Sequence, residues 1–293
     1  MKKLLVTGAS GFLGWTVCQM ARQQWRVYGT YFSHAVNIPG VTLLKVDVRE
    51  FADVQAAIAQ IQPDAVIHAA AQSQPNACQT QPEDSYRINV TAVGHIADLC
   101  AEAAIPCAFT STDLVFDGTN APYREIDRVC PISVYGEQKV QAEQVLRDRY
   151  DRAVICRMPV MFGAVPPTAS SFIQPLLAKL RRGEEIHLFS DEFRTPVSGT
   201  TAARGLLLAI ERNASGILHL GGPERISRYE FGLLMAEILN FPRSLVKPIR
   251  QADIKLAAPR PADVSLESSL AITLGYQTLL LREELALLKN GLP

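Results

Sequence analysis

The chain has 293 residues, 48% hydrophobic and 20% charged, and 29 basic residues balance 29 acidic ones. That is an ordinary globular composition, and a net charge of zero offers neither a basic field for nucleic acid nor an acidic tail. No stretch reaches the roughly 18–20 apolar residues that span a bilayer, so no membrane contact is expected. Six cysteines without a CxxC pair read as reduced thiols of a cytoplasmic protein.

Residues 3–7 form a short apolar run that predicts a buried strand. Two lysines precede it and imitate a secretion signal, but glycines break the run too early for one. Gly8, Gly11 and Gly14 follow in GxxGxxG spacing, and then a helical pattern to about Gln24. A strand, a glycine turn and a helix together make a phosphate cradle: glycine permits close approach, and the helix start offers free N–H groups. The same glycines could serve a merely structural turn.

A second strand spans Arg26 to Tyr31 and runs into Phe32-Ser33-His34. Folds that prefer NAD place a carboxylate near this point for the ribose 2′-hydroxyl. Its absence here favours NADP, but no arginine stands in the stretch, so both cofactors stay open. A third strand, Val41 to Val46, leads into Asp47-Val48. Asp47 could meet an adenine amino group or cap the helix expected at about 50–60.

Pro63-Asp64 introduces an apolar strand ending in His68-Ala69-Ala70-Ala71, whose small residues let a flat ring approach the backbone. His68 is expected as a packed strand histidine. Residues 72–82 read as a polar loop at a strand's carboxyl end, where open α/β sheets place ligands; Ser73 lies in it. One long helix is expected over 83–104, with Asn89 inside it, and then a strand from Pro106 to Ser111. Strands alternating with helices in this way predict an α/β fold, a Rossmann-type doubly wound parallel sheet.

Two further signals follow in order. Ser111-Thr112-Asp113 brings hydroxyls to a strand's end, and Tyr135 and Lys139 stand four apart on one helical face. A phenol of ordinary pKa, about 10, exchanges protons poorly at neutral pH. The nearby ammonium is expected to lower it, and Thr112 can steady charge on the reacting oxygen. Taken alone, a Tyr–Lys pair of this spacing is common on helices.

With the glycine turn, the Ser111-Thr112-Asp113-Leu114-Val115-Phe116-Asp117-Gly118 stretch and the Pro131-x-x-x-Tyr135-Gly136-x-x-Lys139 segment in place, the chain resembles the extended short-chain dehydrogenase/reductase family. Within that family it is most similar to the dTDP-4-dehydrorhamnose reductases, and it departs from their pattern in having Leu114 where tyrosine is usual. The resemblance covers nearly the whole chain and implies reduction of a keto group on a nucleotide-linked sugar with NADP or NAD. It gives Thr112, Tyr135 and Lys139 the catalytic roles. It gives cofactor contacts to Gly8, Ser10, Gly11, Phe12, Leu13, Gly14, Asp47, Val48, Ala69, Ala70, Ala71 and Asn89, with Tyr135 and Lys139 shared. Glu137 replaces a common Lys or Arg and is expected to face solvent.

A strand at about 152–158 leads to Pro159-Val160-Met161-Phe162-Gly163. The expected division is a dinucleotide-binding domain over 1–163 and a smaller mixed α/β substrate lobe over 164–293, with elements near 190–220 returning to the sheet. Helices are expected at about 170–182, 199–212, 228–240 and 281–289, with short strands near 186–189 and 216–220. Substrate-side candidates are Ser73, Asp113, Arg194 and Arg260; each guanidinium suits a diphosphate, and each could equally be a surface salt bridge. No protein-built metal site is expected, because His187 and His219 lack partners at ligand spacing. The family often forms dimers, so a homodimer stays open. Two other activities stay open as well: an NAD-dependent sugar-nucleotide epimerase, and a non-catalytic regulatory subunit like the β subunit of methionine adenosyltransferase.

Overall fold

A computed structural model of the chain describes residues 1–289. The first half runs β1 (Lys3–Thr7), α1 (Phe12–Ala21), β2 (Arg26–Tyr31), β3 (Val41–Lys45), α2 (Phe51–Ile61) and β4 (Ala65–His68). It continues through α3 (Pro75–Thr80), α4 (Pro82–Tyr86), a π turn (Arg87–Thr91), α5 (Ala92–Ala103), β5 (Cys107–Thr112), α6 (Val134–Arg149) and β6 (Val154–Met158). These strands and β11 (Gly216–His219) form one seven-stranded sheet in the order β11-β6-β5-β4-β1-β2-β3. Every pair is parallel. The register sets Thr7 beside His68 and Thr112 beside Met158, so the functional ends of β1, β4 and β5 lie along one edge.

Side chains of a strand point alternately to opposite faces, and this explains why apolar runs rather than alternating patterns form the inner strands. Leu4, Val6, Ala65, Ile67, Val154 and Cys156 pack in one core with Val17 of α1 and with Leu206. Leu5, Val66, Phe109 and Ile155 pack in the opposite core with Ile58 of α2, Ile96 of α5 and Leu146 of α6. Neither face of the sheet is left to water.

The expected long helix over 83–104 is present: helical backbone runs without a gap from Pro82 to Ala103 and carries a π bulge. Pro82 stands in the first turn of α4, after α3 has ended at Thr80, and the π turn at Arg87–Thr91 leads α4 directly into α5. Proline suits a helix start because its missing N–H has no partner there anyway. For the same reason the expected loop 72–82 contains α3, opened by Pro75.

After β6 come β7 (Met161–Phe162), α7 (Gln174–Arg181), β8 (Ile186–Phe189), β9 (Phe193–Arg194), β10 (Val197–Ser198) and α8 (Gly199–Glu211). Beyond β11 stand β12 (Ile226–Ser227), α9 (Arg228–Ile238), β13 (Val246–Ile249), α10 (Ser269–Thr273) and α11 (Leu281–Lys289). Phe162, Ile173, Leu177, Leu188, Phe231, Met235, Leu281 and Leu285 build a third core in this half. Serine side chains cap two of its helices: Ser198 caps α8, and Ser227 forms a capping box with Glu230 on α9. Residues 290–293 of the expected lobe lie outside the described residues. Among those described, no helix is long and apolar enough to cross a membrane.

Candidate active site

The glycine turn joins β1 to α1 and is packed without slack. Gly8 has φ +70, and a Cβ there would stand 2.8 Å from the Cα of Ala70. A Cβ on Gly14 would stand 2.3 Å from the carbonyl oxygen of Gly8. Thr7 ties the two strands together at this point: its hydroxyl accepts the N–H groups of Ala69 and Ala70 at 3.1 and 3.2 Å and pairs with Nδ1 of His68 at 2.7 Å. His68 is accordingly a buried strand residue. Gly11 stands at the N-cap of α1 with no side-chain cap and no acidic residue in the first turn, so the helix start keeps its positive end open. Leu13 points into the core, the ring of Phe12 packs against Gly163 and Gly199, and the carbonyl of Ser10 accepts from Thr168 at 2.9 Å. Side chains at Phe12 and Leu13 are therefore structural, while their backbone lines the turn.

At the neighbouring sheet edge, Asp47 is neither a free acceptor nor the cap of α2. The N-cap is Glu50, without a side-chain bond. Both oxygens of Asp47 hold Arg49, through its backbone N–H at 3.0 Å, Nε at 2.8 Å and Nη2 at 2.6 Å. Val48 is buried in the core of that face.

Thr112 ends β5 and is buried; its hydroxyl accepts from the Leu114 N–H at 3.2 Å and lies 3.1 Å from Oδ1 of Asp113. Ser133 caps α6, so Tyr135 and Lys139 fall on the first two turns of that helix. Tyr135 is 7% exposed and Lys139 1% exposed. Burial, with Asp113 and Cys78, raises the pKa of Tyr135 against the lowering influence of Thr112. Lys139 donates to the Thr110 carbonyl at 2.9 Å and stands 4.6 Å over the ring of Phe109. Burial pulls Lys139 down to about 8 against the opposing charge of Glu143. The expected lowering of Tyr135 by Lys139 is corrected: desolvation raises the phenol's pKa, and the ammonium does not figure among the groups that shift it. Glu137 is exposed, as expected.

Asn89 sits on the π turn, buried, and is engaged on all sides. Its Oδ1 accepts the Gln72 N–H at 2.9 Å, and its Nδ2 donates to the Gln72 carbonyl at 3.1 Å and to Oε1 of Gln138 at 2.9 Å. Gln138 in turn donates to Pro82 and Ser85. Asn89 and Gln138 thereby fasten the loop after β4 to the helix that carries Tyr135. Nothing local in the sequence marks Gln138; only its place between Tyr135 and Lys139 on a buried face could have suggested it.

A second fastening lies behind the pair. Glu143, one turn beyond Lys139, accepts from Ser111 at 2.5 Å and holds Arg157 of β6 at 2.7 Å, all three buried. Arg157 also lies 5.2 Å over the ring of Phe116. Helix α6 is therefore locked to both β5 and β6.

On the substrate side, Asp113 is 3% exposed and faces Arg194, whose Nε is 3.5 Å from its Oδ2. Arg194 is 2% exposed; it also meets Glu192 at 3.2 Å and the Pro261 carbonyl at 3.2 Å. The expectation of a substrate contact or a surface salt bridge at Arg194 is corrected: its donors are spent on protein acceptors, and it acts as an internal strut. Burial pushes Asp113 up to about 6 despite Arg194 and Arg228. Glu192 ends below its ordinary value because Arg228 and Arg194 together outweigh its burial. Arg228, missed in the sequence, meets Glu192 at 2.8 Å and keeps a buried Nη1 without a hydrogen-bond partner. Arg260 is half-buried with Nη2 3.4 Å from Asn76, and Ser73 is exposed on the loop after β4. His219 is tied to backbone carbonyls of Tyr123 and Glu267 at 3.1 Å. Among the described residues no three His, Cys, Asp or Glu side chains are grouped to hold a metal ion.

Comparison with known proteins gives a consistent picture. The family model described as the RmlD substrate binding domain matches residues 1–289. The Probable low-salt glycan biosynthesis reductase Agl14 of Haloferax volcanii is 31% identical over 289 residues, covering 97% of this chain and 96% of that protein. Methionine adenosyltransferase 2 subunit beta of Pongo abelii is 30% identical over 282 residues, covering 94% of this chain and 83% of that one. The fold is also that of dTDP-4-dehydrorhamnose reductase from Bacillus anthracis, solved in complex with NADP, with a TM-score of 0.89, 20% identity and 99% of each chain covered. The chain belongs to the RmlD family of the extended short-chain dehydrogenase/reductases.

Proposed function

We propose that the protein is a reductase of the dTDP-4-dehydrorhamnose reductase kind, using NADPH or NADH to reduce a keto group on a nucleotide-linked sugar. The observation that carries this reading is the burial of Thr112, Tyr135 and Lys139 together at the carboxyl edge of the sheet, next to the glycine turn. The residues fit a dinucleotide. Gly8 and Ala70 leave a cradle in which a single added Cβ would collide, and the start of α1 is free of side-chain caps. Ser10, Gly11 and Gly14 would bound the pyrophosphate, Ala69 to Ala71 the ring that approaches β4, and Val48 the adenine end. We assign the dinucleotide to residues 1–163 and the sugar nucleotide mainly to the segment beyond.

When bound, the reduced nicotinamide supplies the hydride that the carbonyl carbon receives. Tyr135 gives its phenolic proton to the carbonyl oxygen as charge develops there. Thr112 donates to the same oxygen and steadies it. Lys139, charged beside a bound ribose, holds the phenol's neighbourhood positive, which makes loss of the Tyr135 proton easier than in the free protein. Asp113 lies beside Thr112 with its Oδ2 turned to Arg194, and Arg228 and Arg260 supply cationic edges for a diphosphate. The free thiols of Cys18, Cys78, Cys100, Cys107, Cys130 and Cys156 fit a reducing, cytoplasmic setting.

Purified protein mixed with NADPH and dTDP-4-keto-6-deoxymannose is expected to consume NADPH, seen as falling nicotinamide absorbance. No consumption across such keto-sugars overturns the reading. A second reading, a regulatory subunit, is favoured by the 30% identity to the methionine adenosyltransferase subunit. Recovery of a stoichiometric enzyme partner, with Tyr135→Phe leaving function unaltered, selects it over the reductase. Release of tightly held NAD on denaturation would favour an epimerase instead.

A further inference from the structure

Strand β2 ends without a carboxylate, and no arginine follows it in Phe32-Ser33-His34. The fold brings one from elsewhere. The Val46 N–H donates to the Tyr31 carbonyl at 2.9 Å, so the residues past β3 run beside those past β2. The Ala9 N–H donates to the Thr30 carbonyl at 2.7 Å, so the same place also adjoins the glycine turn. Here the guanidinium of Arg49 lies 4.6 Å over the ring of Phe32, a ring 50% exposed. Asp47 grips Arg49 along one edge through Nε and Nη2. The planar fork is thereby held in one orientation, stacked on an aromatic face. Its Nη1 has no protein acceptor among the described residues, and 26% of the side chain remains exposed. Ser33 stands in the same exposed stretch as Phe32, its hydroxyl 2.8 Å from Nδ1 of His34.

An acidic residue at the end of β2 would accept a ribose 2′-hydroxyl and repel a 2′-phosphate. This chain has the opposite arrangement. Of the carboxylates nearby, Asp47 is neutralised by the arginine that it orients, Glu50 is paired with Arg87, and Asp53 accepts the Asp47 N–H. Resting on the reading that the glycine turn takes a dinucleotide, we propose that Arg49, stacked on Phe32 and braced by Asp47, receives the 2′-phosphate together with Ser33 and makes the protein select NADP(H) over NAD(H).

The test measures binding rather than turnover. The full chain is titrated with NADPH and separately with NADH by calorimetry. Wild type is expected to bind NADPH at least tenfold more tightly. Arg49→Ala should weaken NADPH by roughly tenfold to a hundredfold, the range for losing a charge-assisted hydrogen bond, while NADH changes less than about threefold. Arg49→Lys keeps the charge but not the fork, and should fall between; it also serves if the alanine variant folds poorly. 2′,5′-ADP should displace NADPH from wild type better than 5′-ADP, and lose that advantage in Arg49→Ala. Equal affinity of wild type for the two dinucleotides, or equal weakening of both by Arg49→Ala, overturns the assignment and leaves the dinucleotide reading intact. Binding of neither dinucleotide overturns both.

Discussion

Replacing Lys139 by methionine should make the protein more stable and nearly inactive. The amine is 1% exposed, and burial draws its pKa from 10.5 to about 8. At roughly 1.4 kcal/mol per pKa unit, that gap corresponds to about 3 kcal/mol. The folded-state value lies below the unfolded one, so the unfolded chain binds the proton more tightly. The penalty is fully present below about pH 8 and fades as pH rises toward 10.5. Methionine keeps the length without the charge. Allowing about 1–2 kcal/mol for the lost bond to the Thr110 carbonyl, Lys139→Met should gain about 1–2 kcal/mol at pH 7 in the absence of dinucleotide. Thermal melts of both proteins at pH 7 and pH 9.5 check this: the advantage should shrink by about 2 kcal/mol at the higher pH. Keto-sugar reduction should fall by roughly a hundredfold or more. A variant that melts lower at pH 7, by an amount that pH does not change, would refute the claim that Lys139 is a destabilising buried cation.

Tyr135→Phe should cut reduction by about 10²–10⁴-fold while dinucleotide affinity, read by calorimetry, stays within a few-fold. Arg157→Met leaves Glu143 buried without its cation and should cost about 3–5 kcal/mol in denaturant unfolding; adding Glu143→Leu should restore most of that. Gly14→Ala drives a methyl to 2.3 Å from the Gly8 carbonyl oxygen, so it should destabilise by about 1–3 kcal/mol and weaken dinucleotide binding. Gly94→Ala is the control, because its near neighbour is the movable end of Arg149; its melt should shift by less than the Gly14 variant's.

Much of the sheet is legible in the chain because its strands are continuous apolar runs bounded by turn residues, and because Gly8, Gly11 and Gly14 stand between a strand and a helix. Thr112, Tyr135 and Lys139 are legible as a set for the same reason: each falls at a fixed place relative to an element's end. What escapes is long-range. Arg49 meets Phe32 only because β2 and β3 are neighbours. The inward turn of Arg194 depends on Asp113 and Glu192 reaching it from two different segments. The tuning of Tyr135 is not legible for a related reason: spacing places a phenol near an amine, but does not say how much water each has lost.

The charged chain that runs from Asp113 through Arg194 and Glu192 to Arg228 joins the strand bearing Thr112 to the start of α9. It constrains how this protein can be recombined. A graft that imports a relative's specificity-determining half without these partners would strand Asp113 as a lone anion in a dry interior. Chimeras should therefore succeed only when the crossover keeps Glu192, Arg194 and Arg228 with the parent that contributes Asp113, and libraries built with junctions between them should return mostly misfolded chains.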